Sequence, residues 1–252
     1  MQTLDAGDLE QLAARSWRGL EEERFGDWLL RASGGFTGRA NSVLVVGRPP
    51  ADLPAAVAAV TRWYERRGLR PRAQVPLPGG ERADDAFAAA GWTRDEDNLV
   101  LTASLTGWPS PPVAVDLAAV PDDAWLAGYR YRGTPLPPVA AAVLTNADGP
   151  VFASVRCDPA PAPLAAVTRG VVVGGWLCVT AVTVEDRYRR QGLASAVMAG
   201  LGVWARARGA HSCLLQVAGS NAPALALYER LGFTEHHRYH YRLGPEPAHR
   251  PG

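Results

Sequence analysis

One segment of this chain occurs twice, and a duplication of that length leaves few folds open. The first copy, WYERRGLRPRAQVPLPGGERADDAFAAAGWT, runs from Trp63 to Thr93, and the second, WARARGAHSCLLQVAGSNAPALALYERLGFT, from Trp204 to Thr234. Arg67-Gly68 falls opposite Arg208-Gly209, Gln74-Val75 opposite Gln216-Val217, and Gly91-Trp92-Thr93 opposite Gly232-Phe233-Thr234, with single-residue shifts. The competing reading is chance likeness between alanine-rich helices, but a repeated fold unit accounts for more of the matches. Each copy reads as a helix (about 53–67 and 192–208) stopped by glycine, a short strand, a loop, a second helix, and a strand after the Gly-aromatic pair. In the later helix Ala194, Val197, Met198, Leu201 and Trp204 recur at helical spacing as an apolar stripe. Strand-like runs precede each helix: DWLLRA and NSVLVV in the first half, PLAAVTR through AVTVE in the second. Strands alternating with helices predict an α/β fold with a mixed sheet flanked by helices.

Between the copies lies GWPSPPVAV, Gly107 to Val115, whose prolines favour an extended linker. The expected partition is therefore 1–108 and 109–244, with a disordered tail at 245–252. GVVVGGWLCVTAVTV, Gly170 to Val184, is too short to span a bilayer and breaks at Gly174-Gly175, which reads as a hairpin turn. The opening MQTLDAGDLE has neither the basic flank nor the apolar stretch of a secretory signal. Cys157, Cys178 and Cys213 are scattered and odd in number, which opposes a disulfide framework and suits a reducing compartment. A cytoplasmic location is expected. With 26 Lys and Arg against 25 Asp and Glu the net charge is +1, so no general attraction to nucleic acid or anionic membrane is expected.

Positive charge is instead local. RYRRQGLASAV, residues 187–197, sets three arginines against a glycine at a predicted strand-to-helix junction. The first N–H groups of a helix lack partners and carry the positive end of the macrodipole. Gly192 has no side chain to shield them, small Ala194 and Ser195 keep the approach open, and Arg187, Arg189 and Arg190 add charge at the rim. That combination suits a phosphate or diphosphate. A phosphate loop of the ATP-binding kind needs Lys-Ser/Thr after its glycine, and a dinucleotide fingerprint needs further glycines; neither pattern is present.

Val184, Arg189, Gly192 and Ala194 match V-x-P-x-x-[RQ]-x-x-G-x-[GA], and Asn221 to Phe233, NAPALALYERLGF, matches N-x-x-A-x-x-x-Y-x-x-x-G-F. In that order, over residues 150–243, they resemble the Gcn5-related N-acetyltransferase (GNAT) family. The two-part layout is similar to the tandem bacterial type, some of whose members are labelled N-acetylglutamate synthase-like. Asp186 stands where that family often has proline, a departure expected to alter only loop stiffness.

The resemblance implies the acyl-CoA N-acyltransferase fold, duplicated with a degenerate first half, and acetyl-CoA as co-substrate without a metal. Its diphosphate would rest on the loop Arg189, Arg190, Gln191, Gly192, Leu193 and Ala194. Its pantetheine arm would borrow backbone hydrogen bonds from Val182, Thr183 and Val184, and Asn221 would touch it through the side-chain amide. Asn221 also fits a helix N-cap ahead of Pro223, and the two roles are compatible. Tyr228 is the implied catalytic residue, protonating the thiolate that leaves when an amine attacks the thioester. With a phenol pKa near 10 and a thiol near 8.5, that transfer is uphill by about 2 kcal/mol unless the site shifts one of them. A plain core tyrosine is the alternative role. The first half carries Phe87 at the matching place, and its VGRPPADLP has prolines where a phosphate seat needs donors.

The acceptor must attack as a neutral amine. A lysine amine near pKa 10.4 costs about 3.5 kcal/mol more to deprotonate than an α-amine near 7.8. Glu185, Asp27 and Glu23 are candidate bases, none singled out. Small-molecule and peptide amines both stay open as acceptors, as does the oligomeric state. Trp28, Arg39, Asn41 and Ser42 are candidates for lining an acceptor cleft, or for the polar face of a hairpin. HHRYHYR, His236 to Arg242, alternates like a strand and sets two histidines between arginines, which opposes a zinc site. Cys178 reads as buried filler. The reading that follows is an N-acetyltransferase; the alternative is a non-catalytic acyl-CoA sensor that keeps the seat and tolerates loss of Tyr228.

Overall fold

The computed structural model of the chain describes residues 4–131, 133–159 and 162–246. Contacts divide the chain into two compact units. Among the described residues, one comprises 4–99, 218–220 and 236–246, the other 100–217 and 221–235.

The first unit opens with α1 (Ala6–Ser16), capped by Asp5 and Asp8, each side chain bonding the other's backbone N–H. The hairpin β1 (Glu21–Phe25) and β2 (Trp28–Ala32) follows, then β3 (Val43–Leu44), α2 (Leu53–Glu65), β4 (Arg72–Leu77) and α3 (Glu81–Ala89). β2 runs antiparallel to β1 and β3, while β3 and β4, joined through α2, are parallel. The far neighbour of β4 is β11 (Thr234–Leu243), antiparallel from Arg238↔Leu77 to Leu243↔Arg72. The core gathers Trp28, Val57, Val60, Trp63, Tyr64, Val75, Phe87 and Trp92.

In the second unit β6 (Asp116–Ala118), β7 (Val151–Val155), β8 (Ala166–Val173) and β9 (Trp176–Val184) form an antiparallel series. β10 (Ser212–Ala218) joins β9 in parallel through the crossover helix α6 (Leu193–Arg206). Two short helices, α4 (Asp123–Gly128) and α5 (Ala140–Thr145), precede β7, and α7 (Ala222–Arg230) follows β10. The predicted mixed sheet is thus found, and the parallel pair bridged by a helix recurs in both units. The predicted hairpin turns at Gly174 and Gly175, with φ of 55° and 79°, the left-handed values a two-residue hairpin turn demands.

The repeated glycines have one physical role. After α2, α3, α6 and α7 the residue beyond the glycine returns its N–H five residues back: Leu69 to Tyr64, Trp92 to Phe87, Ala210 to Ala205 and Phe233 to Tyr228. This is the Schellman stop, which needs a left-handed residue at the glycine. The Arg-Gly and Gly-aromatic matches are therefore two pairs of helix terminators.

Sequence halves and packed units are not the same. β5 (Thr93–Ser104), the last strand of the first copy, carries residues 100–104 into the second unit, and β11, the last strand of the second copy, contributes residues 236–243 to the first. The proline-rich segment has no helix or strand, as expected of an extended linker, and it packs on α6. Trp108 lies against Gly202 and Val115 against Gly200, where a Cβ would come within 2.7 and 2.8 Å of them. α6 is buried around most of its circumference, Leu193, Ala196–Leu201 and Ala205 included. The predicted stripe is corrected accordingly: Val197, Met198 and Leu201 are core, whereas Ala194 and Trp204 are half-buried. Most of the expected tail, from residue 247 on, lies outside the described residues.

Candidate functional site

The junction between β9 and α6 is a tight loop. A 3-10 turn at Asp186–Tyr188 leads to Arg190 at φ 62° and Gly192 at φ 78°, and α6 begins at Leu193. No side chain caps this start. The first N–H returned within the helix is that of Ala196, to Gly192 O at 3.0 Å, so the N–H groups of Leu193, Ala194 and Ser195 lie ahead of the ladder. A Cβ built on Gly192 meets no heavy atom within 4 Å. The corner is open where an anion would approach.

The loop is held from below. Tyr188 and Leu193 are buried with Val155, Ala165, Ala166 and Val197. The Tyr188 hydroxyl donates to Asp158, which holds the phenol above its ordinary pKa. The arginines at the rim are only partly free. Arg189 pairs with Asp186 at 2.6 Å and Arg187 with Asp158 at 3.5 Å. Arg190 and Gln191 are exposed, the Gln191 amide donating to Arg187 O. Asp186 therefore does more than change loop stiffness: it pairs with Arg189, one of the cations expected at the seat. All these pairs are exposed, so each contributes little on its own.

β9 itself is irregular toward its C-terminal end. Val167 faces Thr183 and Arg169 faces Thr180, so Ala181 and Val182 stand opposite Thr168 alone. Ala181 takes φ 60°, an uncommon value for a residue with a Cβ. On the other side, the parallel ladder with β10 runs from Ser212↔Trp176 to Leu215↔Val179 and stops there. Val182 thus lies in the bulge and Thr183 and Val184 just after it, all three beyond the end of that ladder, and these residues are half-buried.

α7 begins beside Asn221, whose side chain accepts from Ala224 N at 3.3 Å, with Pro223 in the first turn. The capping role of Asn221 is thereby realised, while its side chain stays exposed. Tyr228, in the last turn of α7, is 7% exposed and meets the ring of Phe233 edge-on at 5.6 Å. Phe233 in turn packs edge-on against Trp108 at 5.7 Å. The tyrosine is gripped through its ring and, through its carbonyl, by the Schellman bond. Arg169 is fully buried behind the bulge, donating to Leu144 O at 2.6 Å and reaching Thr180 Oγ1 at 3.5 Å.

Other sequence candidates fall elsewhere. Trp28, Asn41 and Ser42 are buried inside the first unit rather than presented to an acceptor. Asn41 accepts from Ser33 N and Gly35 N and donates to Phe36 O and Thr37 O, which closes the 33–41 loop. Ser42 serves the buried Arg31, which also reaches Gln74; Gln74 donates to Glu10, and Glu10 meets His237. Arg39 lies over the Trp17 ring at 5.1 Å. Asp27 accepts from Arg48 N and Glu23 from the Trp63 indole, so both carboxylates hold local structure. Glu185 anchors the loop through its N–H to Ala165 O.

In the histidine strand, His240 and Arg242 share Asp84, which their hydrogen bonds hold at a pKa of about 2. No group of three or more metal-ligating side chains occurs among the described residues. Cys178 and Cys213 are buried, and burial pushes the Cys213 thiol well up. Sequence reasoning missed Asp158 and Tyr188 as the buttress of the loop, because Asp158 is distant in the chain and carries no local pattern. No helix among the described residues is long and apolar enough to cross a membrane.

A family model described as probable histone acetyltransferase Rv0428c C-terminal matches residues 3–242. The probable histone acetyltransferase Rv0428c of Mycobacterium tuberculosis is 33% identical over 92% of this chain and 72% of its own length. The uncharacterized N-acetyltransferase YobR of Bacillus subtilis is 25% identical over 95% and 98%. Among solved structures, a GCN5-related N-acetyltransferase from Kribbella flavida superposes with a TM-score of 0.69 at 17% identity, covering 96% of this chain and 97% of that one. A tandem GNAT protein from the clavulanic acid biosynthesis pathway gives 0.62 at 15% identity, covering 96% and 89%. At these identities the two structures establish the GNAT fold, tandem form included.

Proposed function

The chain belongs to the acetyltransferase family described as probable histone acetyltransferase Rv0428c C-terminal, and from that premise we propose that it acetylates a primary amine at the expense of acetyl-CoA. The observation that carries this reading is the open corner at Gly192, where uncapped N–H groups of α6 adjoin strand β9 just past its last pairing with β10. The residues there fit the group: donors without helical partners suit a diphosphate, and half-buried strand backbone suits an amide-bearing arm.

Bound acetyl-CoA supplies an activated acetyl group and a thiol leaving group. In this reading Leu193, Ala194 and Ser195 offer their N–H groups to the diphosphate, with Arg189 and Arg190 at the rim. Val182, Thr183 and Val184 align the arm through backbone bonds, and Asn221 touches it while still capping α7. Backbone N–H groups beside the bulge polarise the carbonyl. Tyr228 gives its hydroxyl proton to the sulfur as the C–N bond forms and the C–S bond breaks; the proton lost by the amine passes to solvent, from which the Tyr228 oxygen is reprotonated.

The test is release of free thiol from acetyl-CoA with α-amino acids, polyamines and lysine peptides offered in parallel, the last because the mycobacterial relative bears the name of a histone acetyltransferase. One or more acceptors should release thiol with wild type. Tyr228→Phe, which keeps the ring packing, should lower kcat by about 10²-fold or more while leaving CoA affinity unchanged, the range for loss of a general acid. Full activity in that variant removes Tyr228 from the chemistry. CoA binding with no thiol release from any acceptor moves the reading to an acyl-CoA sensor.

A further inference from the structure

The first unit contains a cavity of about 830 Å³ that the reading above does not use. It lies at the heads of α2 and α3 and is lined by Trp28, Val45, Arg48, Leu53, Arg82 and Ala83, among others. Its position repeats that of the seat in the second unit: parallel strand, loop, crossover helix, then the first turn of the next helix. The spacing that sets Phe87 opposite Tyr228 and Gly91 opposite Gly232 also sets Arg48 opposite Arg189.

The chemistry of the two places differs. Pro49, Pro50 and Pro54 supply no N–H groups. Asp52 caps α2 by accepting from Ala55 N at 2.9 Å, and Glu81 accepts from Gly79 N at 2.9 Å. The backbone cradle that suits a diphosphate is therefore absent, and two carboxylates beside the opening repel a polyanion. Apolar lining remains in Pro49, Ala51 and Leu53, which are exposed or half-buried over the core residues Trp28, Val45 and Ala83, with two exposed arginines whose guanidinium groups meet no carboxylate among the described residues. Arginine pairs with a single carboxylate through two parallel hydrogen bonds, and the volume lies in the range of small-molecule pockets, roughly 300–1,000 Å³.

We propose that the first unit binds a small monocarboxylate with an apolar body, its chain against Pro49, Ala51 and Leu53 and its carboxylate on Arg48 and Arg82. This is a second ligand site, independent of the acetyl-CoA seat.

The experiment titrates octanoate into the full chain by calorimetry, with octylamine as the matched cation. Octanoate should bind with one site per chain and octylamine at least about tenfold more weakly. Arg48→Ala with Arg82→Ala should weaken octanoate about tenfold or more, the effect of losing a charge-assisted pair. Ala51→Trp, at an exposed lining position, should block the cavity, and Gly192→Glu should leave octanoate binding unchanged. The proposal is overturned by absence of octanoate binding at millimolar concentration, by equal affinity for octylamine, or by unchanged affinity in the double arginine variant. It is also overturned if CoA displaces octanoate in Gly192→Glu, because the cavity would then be a second acyl-CoA seat.

Discussion

Gly192 separates the electrostatics of the candidate seat from its sterics. It sits at φ 78° ahead of α6, and a Cβ there meets nothing within 4 Å. Gly192→Ala and Gly192→Glu therefore share one cost, the left-handed backbone of an L-residue, about 1 kcal/mol. For a chain of this size that lowers Tm by roughly 2–4 °C in both variants. They differ in charge. A carboxylate about 5 Å from one diphosphate charge repels it by about 1 kcal/mol at the dielectric of water and about 3 kcal/mol at an effective constant of 20. At about 1.4 kcal/mol per decade, CoA affinity should fall roughly 5-fold to 140-fold further in Gly192→Glu than in Gly192→Ala. Calorimetric titration of CoA at about 0.1 M salt, where the screening length is about 10 Å, reads that difference, and added salt should narrow it. Equal CoA affinity in the two variants, with both folded, would refute placement of the diphosphate at this corner.

Asp84 carries a pH signature. Its pKa of about 2, against an ordinary 3.8, means that its bonds with Arg242 and His240 stabilise the fold above pH 3.8 and are lost as pH falls toward 2. Asp84→Asn should cost about 2 kcal/mol in denaturant unfolding at pH 7, and the gap to wild type should close near pH 2; a gap that persists at that pH contradicts the assignment. His240, held below its ordinary value mainly by burial, adds a further loss as pH falls through 6.5 in both proteins. For Asn221, Ala substitution should remove the cap and cost about 1 kcal/mol of stability, whereas Asp substitution should retain it. CoA affinity that falls in Asn221→Asp without loss of Tm identifies a ligand contact, and affinity unchanged in both variants leaves the cap as its only role.

What the sequence determined by itself is local. Gly68, Gly91, Gly209 and Gly232 stop helices because each must enter the left-handed region, and Gly174-Gly175 turns a hairpin for the same reason. The uncapped start of α6 was legible because Gly192 and its small neighbours leave the N–H groups uncovered, and Asn221 ahead of Pro223 announces an N-cap. Partner choice was decided only in three dimensions. β5 and β11 follow matching Gly-aromatic pairs, yet each carries its later residues into the unit built mainly by the other copy, because many strands satisfy one alternating pattern and long-range packing selects among them. The same holds for Trp108 and Val115 against α6, for Asp158 under Tyr188, and for Asn41 and Ser42 turned inward: each depends on a neighbour far along the chain, which no local period encodes.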